Sequence, residues 1–481
     1  MSYTVAQNTS FLTIASVLQK VISFFYFIFV ARIVGVENTG VYFFAISFTT
    51  IFTVVADFGL GPVLTREASR FPDRTESYFN TAFWTKIMFG LMAYLLIVLF
   101  ANLLRYPEST KILIYISGIT MFFDTLATAF NSIFRAKKNL IYESIGVIAS
   151  QFTTLIIGTV ALLNKWPLVW LILAYTIPSF LNLLYVSGFL KKVYGIRVRF
   201  AWNSQVFKIF IITALPFALA GIIGRLYSYS DSLLMSKMLT AKELGWWSVP
   251  YKITFAFQFI PVALSASVYP VFSSLFLGDK TGMGPLFEKS WRYLFAVVFP
   301  VSLGLIAVAD PVIHKVFGQE YGPSVAALRI LLISMIFGFL SFITGALLNA
   351  INRQKIQTSL MGLALAVSIL LNIVLIPKLG INGAAISAMV SNFVLCLVGF
   401  YFCVTWVNIN IKNILKYLYQ TLWPAAVMAV IVYILSFKIH YLVTIIIGGM
   451  IYLGLLYSTK VIDKELILNV INKIKPKSSA M

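Results

Sequence analysis

The sequence predicts an all-α polytopic membrane protein of about 14 transmembrane helices, built as two pseudo-symmetric six-helix bundles plus two C-terminal helices. Three observations predict it. The first is composition: 60% of the 481 residues are hydrophobic and 11% are charged, against roughly 25% charged in soluble proteins. So few charges cannot keep a chain of this size wet, so most of it faces lipid or other apolar helices. The second is a series of apolar runs, each long enough to cross a hydrocarbon layer of about 30 Å. The third is an internal repeat with an offset near 205 residues. Together they exclude a disordered chain, a soluble enzyme and a secreted disulfide scaffold.

The runs, taken in order, fall at 10–34, 41–63, 82–104, 112–134, 141–163, 167–189, 207–235, 245–274, 291–310, 325–350, 357–377, 382–405, 415–436 and 440–459. The first is read as a span and not as a signal peptide, because no Lys or Arg precedes Lys20 and the run is too long. The last two are divided at Lys438. The longest connections, near 66–81, 190–206 and 276–290, leave no room for a folded domain.

The net charge of +21 would suggest nucleic acid in a soluble protein. Here it follows the positive-inside rule and attraction to anionic lipid headgroups. With the N-terminus inside, 24 of the 37 Lys and Arg fall in cytoplasmic loops and 9 outside. The cytoplasmic set includes Arg66, Arg70, Arg74 and Lys86 after the second span, and Lys280, Arg353 and Lys412 further on. That bias places the chain in the cell membrane with both termini cytoplasmic. Trp166, Trp170, Trp246 and Trp247 mark the outer interface, and Trp202, Trp291 and Trp406 the inner one. In the tail, Leu466, Ile467, Val470, Ile471 and Ile474 recur at helical spacing among lysines, as in a basic helix lying on the inner leaflet.

The repeat aligns Ala31-Arg32-Ile33-Val34 and Gly40 with Ser236-Lys237-Met238-Leu239 and Gly245 at an offset of 205. Gly61-Pro62-Val63 follows Tyr269-Pro270-Val271 at 208, and Asn131, Arg135 and Lys137 follow Asn349, Arg353 and Lys355 at 218. The growing offset is what small loop insertions produce. The domains are then an N-terminal six-helix bundle at 1–205, a second at 206–410, two additional helices at 411–460 and a basic amphipathic tail at 461–481. Six spans are an even number, so both halves enter from the same side. Parallel repeats of this kind place a substrate site between the halves near the midplane.

A charge inside a span is costly and usually faces a cavity or pathway. Lys20 lies mid-span in the first run, and the offset of 205 carries it onto Arg225 in the seventh. Two cations at equivalent depth would face each other across the central axis. Tyr227, Tyr229, Ser228 and Ser230 sit beside Arg225 and add hydroxyls to that stretch. Lys252 and Arg329 are the other in-span cations, nearer the outer face; Lys252 either joins the cavity as a binding residue or snorkels, and Arg329 reads as an interfacial anchor. Asp124 and Asp231 are in-span carboxylates, either proton or sodium sites or counter-ions locked to a neighbouring helix. Asp57 precedes Gly59, Gly61 and Pro62 and reads as the cap of a bend. Pro216, Gly221 and Gly224 read as interruptions of the seventh span, and Pro250, Pro261 and Pro270 punctuate the eighth.

Absences narrow the chemistry. The sequence has no phosphate-binding G-x-x-x-x-G-K-[ST] loop, no H-E-x-x-H and no G-x-S-x-G. The two histidines, His314 and His440, have no ligand cluster, so no metal site and no catalytic residues are expected. Cys396 and Cys403 read as small core residues, too far apart to bond each other.

Three stretches carry a family resemblance. They are Ala31-Arg-Ile-Val-Gly-Val-Glu-Asn-Thr-Gly40-Val-Tyr42, Gly59-Leu-Gly-Pro-Val-Leu-Thr-Arg66-Glu-Ala-Ser, and Pro377-Lys-Leu-Gly380-Ile-Asn-Gly383-Ala-Ala-Ile. They resemble the Wzx-type lipid-linked oligosaccharide flippases of the multidrug/oligosaccharidyl-lipid/polysaccharide exporter superfamily, over about residues 5–405. The resemblance implies a non-enzymatic carrier that works by alternating access. Its cargo would be a polyprenyl-pyrophosphate-linked oligosaccharide, an O-antigen, capsule or exopolysaccharide unit, moved from inner to outer leaflet. It implies a cationic central cavity, which meets the reading of Lys20 and Arg225, and polysaccharide polymerase machinery as a partner. With no nucleotide motif and no cofactor, transport would be coupled to the membrane potential or to a proton or sodium gradient, or would run downhill with the cargo removed outside. Lipid II flippases and multidrug cation exporters of the same superfamily are the alternatives. A membrane glycosyltransferase fits less well.

Overall fold

The computed structural model describes residues 5–458, and side chains from Phe11 onward. The basic tail expected at 461–481 lies outside the described residues. The described chain is almost wholly helical: α1 (Val5–Asp57), α2 (Leu60–Arg70), α3 (Thr75–Leu103), α4 (Glu108–Ala136), α5 (Ile141–Leu163), α6 (Val169–Tyr194), α7 (Ser204–Met238) and α8 (Ala241–Ala256). There follow α9 (Phe259–Leu277), α10 (Met283–Ala307), α11 (Ala309–Val312), α12 (Ser324–Ala350), α13 (Gln354–Leu379), α14 (Ile381–Trp406), α15 (Ile411–Ser436) and α16 (Tyr441–Ser458).

Among the described residues, thirteen helical segments are long and apolar enough to cross a membrane. The first of them, Phe11–Arg70, has 60 residues. A straight helix of that length would extend roughly 90 Å at 1.5 Å per residue, about three bilayer cores. It does not run straight: Gly35 has φ 79 and ψ 169, and splits α1 into two arms. That φ lies in the left-handed region, which only glycine enters without strain. The two arms and the other twelve segments match in number the 14 spans read from the sequence.

One expectation about continuity turns out differently. Pro216, Gly221 and Gly224 do not interrupt the seventh span, because α7 runs unbroken from Ser204 to Met238. A membrane-buried proline is tolerated where neighbours re-satisfy the freed backbone groups. The eighth span is the broken one. It divides at Phe257 and Gln258, between α8 and α9, and Pro261 sits in the first turn of α9, where its missing N–H costs nothing.

Packing divides the chain into two units. One runs to Ala256 and includes Ser368–Ala384; the other is Phe257–Val367 with the chain from Ala385 onward. In the first unit, α2, α3, α4, α6 and α7 close over a core that includes Leu64, Phe79, Phe130, Phe134, Leu190 and Phe210. The 195–203 connection lies along α3, where the Trp84 indole donates to the Arg199 carbonyl at 2.9 Å and Asn80 accepts from the Arg199 N–H at 2.8 Å. Asn203 then caps α7. The turn at Gly380 has φ 58, and a Cβ on Gly383 would meet the Leu375 carbonyl. The Pro377–Ile386 stretch is therefore held by backbone geometry.

In the second unit, Trp291 of α10 stacks on Phe400 of α14 at 4.9 Å. The Tyr452 hydroxyl of α16 donates to the Ala296 carbonyl at 2.9 Å, and Asn392 of α14 donates to Ser334 of α12 at 2.9 Å. Cys396 and Cys403 are free and buried, as expected of core residues.

Candidate functional site

α1, just past its Gly35 kink, and α8 run antiparallel and touch backbone to backbone. A Cβ added to Gly40 would strike the Ala241 carbonyl, and one added to Gly245 would strike the Val36 carbonyl. These two contacts are images of each other under the offset of 205: residue 40 maps to 245 and residue 36 to 241. The repeat thus has a physical counterpart in a glycine crossing. It brings the side chains further along both helices within reach.

There the cations meet aromatic rings. The Lys20 ammonium lies 5.9 Å from the Phe255 ring, and the Lys252 ammonium 5.5 Å from the Phe27 ring. Each helix supplies one cation and one ring, and each pair spans both helices. Phe255 stacks on Tyr251 one turn back, with centroids 5.8 Å apart and planes 12° apart. Tyr251 also meets Phe43 at 5.4 Å and Tyr229 of α7 at 6.0 Å. Its hydroxyl donates to the Ser228 carbonyl at 3.3 Å. Arg225 and Asp231 are close enough to act electrostatically on that hydroxyl.

The Tyr251–Phe255 strip therefore gathers Lys20 from α1 and Arg225 and Tyr229 from α7, and Lys252, next to Tyr251 in sequence, reaches the Phe27 ring of α1. Among the described residues, Lys20, Arg225 and Lys252 form no ion pair. Tyr227 is half-buried on α7. Asp231 is buried and turned onto its own helix, accepting from the Ser232 N–H at 2.7 Å and the Ser232 hydroxyl at 3.4 Å. Asp124 belongs to a different contact set, facing Ser179 of α6, one turn from a 2.7 Å hydrogen bond between Thr120 and Thr176.

Sequence reading missed one intramembrane charge. Lys86 was expected in a cytoplasmic loop; it lies in α3 with its side chain fully buried. Its ammonium pairs with Asp57, donates to the Thr128 hydroxyl at 2.6 Å and reaches the Thr125 carbonyl at 3.4 Å. Asp57 does end α1 at a bend, where Phe58 and Gly59 both have positive φ. Its carboxylate serves Lys86, and the helix that follows receives no side-chain cap. The signal that would have found the pair is the position of Lys86 inside the apolar run 82–104. At the far end of α4, Arg135 makes a forked pair with buried Glu143. Among the described residues no group of three or more His, Cys, Asp or Glu could hold a metal ion.

Membrane-crossing helices bent at a glycine, with unpaired cations laid on aromatic rings, define a polytopic helical transport fold. The structure is similar to that of lipid II flippase MurJ in an inward closed conformation, with a TM-score of 0.77 over 95% of this chain and 99% of that one, at 18% identity. The chain belongs to the polysaccharide biosynthesis protein family, whose profile matches residues 5–276. It is 22% identical to the probable low-salt glycan biosynthesis flippase Agl15 of Haloferax volcanii, covering 85% of each chain. It is 20% identical to the capsular polysaccharide biosynthesis protein CapF of Staphylococcus aureus, over 82% of this chain and 98% of that one. The resemblance to Wzx-type flippases thus stands.

Proposed function

We propose that this protein flips a polyprenyl-pyrophosphate-linked oligosaccharide from the inner to the outer leaflet of the cell membrane by alternating access, with both termini cytoplasmic. The observation that carries the reading is the set of three acid-free cations, Lys20, Arg225 and Lys252, around the Tyr251–Phe255 strip. A Lys or Arg at mid-membrane costs about 2.5–3.5 kcal/mol on insertion scales. A cation–π contact returns roughly 0.5–2 kcal/mol. The rings alone do not offset the charges, whereas an anionic ligand would. A pyrophosphate is such a ligand. Tyr227 and Tyr229 offer hydroxyls and ring faces to the sugars behind it, and the polyprenyl tail can stay in lipid.

Family membership supports a cargo from polysaccharide assembly, and polysaccharide polymerase machinery is the partner such a product would meet outside. Nothing in the sequence hydrolyses nucleotide, so the membrane potential or a proton or sodium gradient drives the cycle, with Asp124 and Asp231 as the candidate coupling groups. An organic-cation exporter would want the opposite charge in its cavity. Proteoliposomes test the reading in three arms: flipping of a polyprenyl-pyrophosphate oligosaccharide, flipping of lipid II, and efflux of an organic cation. Oligosaccharide flipping is the expected result. Efflux without flipping overturns it.

A further inference from the structure

The second unit holds a cavity that the transport reading does not use. It measures ≈ 940 Å³ and opens where the start of α10 meets the connection from α14 to α15. Lys280 and Lys412 line it, with Trp406 at its rim and Met283, Pro285 and Val407 among its apolar lining. That mixture of apolar lining and a few placed polar groups is typical of ligand sites.

The walls are fixed before any ligand arrives. A Cβ on Gly284 would strike the Asn408 carbonyl, so α10 and the connection meet backbone to backbone. Buried Glu288 accepts from the Asn410 N–H at 2.8 Å and from the Asn413 amide at 2.7 Å. Its carboxylate is thereby committed to the wall. Asn410 in turn caps α15, accepting from the Lys412 N–H at 3.0 Å, so a 26-residue helix begins at the cavity with its positive end. A third cation stands close by: the Arg353 guanidinium lies 3.8 Å from the Trp406 ring. The acid nearest in sequence, Asp279, does not line the cavity; it accepts from the Thr281 N–H and hydroxyl at 2.9 and 2.7 Å. Those bonds hold its carboxyl below the usual range.

We propose that this cavity binds the phosphate headgroup of an anionic phospholipid. Lys280 and Lys412 take the phosphate, Trp406 marks the level of the membrane interface, and the apolar lining leads the acyl chains toward the bilayer. The location decides for a lipid over a soluble phosphate compound. The site sits at the ends of membrane-crossing helices α10, α14 and α15, where headgroups are the abundant phosphates and each nearby Lys or Arg adds about 1 kcal/mol of attraction.

The test is native mass spectrometry on the full-length protein from nanodiscs of mixed phosphatidylglycerol and phosphatidylcholine. The wild type should retain one phosphatidylglycerol that Lys280→Gln/Lys412→Gln loses, with at least a tenfold drop in occupancy; Lys280→Arg/Lys412→Arg should keep it. Equal retention by wild type and the Gln variant overturns the proposal. A second measurement needs no variant: a photoreactive phosphatidylglycerol on the wild type should label the 406–413 segment. Labelling confined to other segments overturns the proposal. So does an equal rise in melting midpoint with glycerol 3-phosphate or inorganic phosphate in detergent free of phospholipid, because it would make the site one for soluble phosphates.

Discussion

The Asp57–Lys86 pair predicts an asymmetric mutational response. The Lys86 side chain is fully buried, whereas that of Asp57 is 33% exposed. Asp57→Ala strands a buried ammonium with only the Thr128 hydroxyl and the Thr125 carbonyl. Breaking a buried pair in that way costs about 3–5 kcal/mol. Lys86→Ala strands a carboxylate that is only partly buried, and the cost falls to about 1–3 kcal/mol, that of an unsatisfied polar group. Asp57→Leu/Lys86→Met removes both charges and should recover most of the loss, since apolar replacement of a buried pair is often neutral or better. The assay is the thermal midpoint of each purified variant in one detergent, with monodispersity after heating as a second readout. At about 1–2 °C per kcal/mol for a chain of this length, the two single variants should differ by about 2–4 °C. If Lys86→Ala is as damaging as Asp57→Ala, or if the double variant loses the sum of both, the pair is not what holds α1 to α3.

Lys20→Ala and Arg225→Ala should each abolish or strongly reduce flipping, and Arg225→Lys should also fail, because a planar fork and a point charge bind phosphate differently; full activity in Lys20→Ala/Arg225→Ala refutes a shared cation site. Gly40→Val and Gly245→Val should each cut folded yield severalfold, read by size-exclusion chromatography, because either Cβ drives into a carbonyl of the opposite helix; an unchanged yield for either refutes the close crossing. For energy coupling, a potential, a pH step and a sodium gradient are imposed separately on proteoliposomes. If Asp124 or Asp231 is the coupling site, its Asn variant loses the dependence on one ion gradient; flipping driven by potential alone and untouched by both variants makes the carboxylates structural.

Gly40 and Gly245 show what one dimension can carry. Their equivalence was readable from spacing, because a backbone crossing constrains residue size at fixed positions in both halves. The spans were readable because hydrocarbon imposes a length and a composition on every crossing segment. The partners of the in-span cations were not. Phe255 lies far along the chain from Lys20, and Phe27 equally far from Lys252, and no periodicity links a cation to a ring on another helix. Lys86 was misplaced for a related reason: a lysine near the end of an apolar run looks like a loop charge until its acid, one span earlier, is seen beside it. Pro216 misled in the other direction. Sequence shows the missing N–H but not the neighbouring helices that tolerate it.

The intramembrane charges of the first unit thus fall into two kinds, and the distinction bears on mechanism. Lys86 and Asp57 neutralise each other and fasten three helices, the second arm of α1, α3 and α4, through Thr128. A ligand has little to offer such a pair. Lys20 and Lys252 have rings where Lys86 has a carboxylate. A ring holds a cation without cancelling its charge, so the ammonium stays available to an incoming anion. The acids of the same unit are placed so as not to quench it. Asp231, the nearest, is turned to Ser232, and Asp124 to Ser179. A carboxylate swung onto Arg225 would give a tighter resting protein and a poorer anion site.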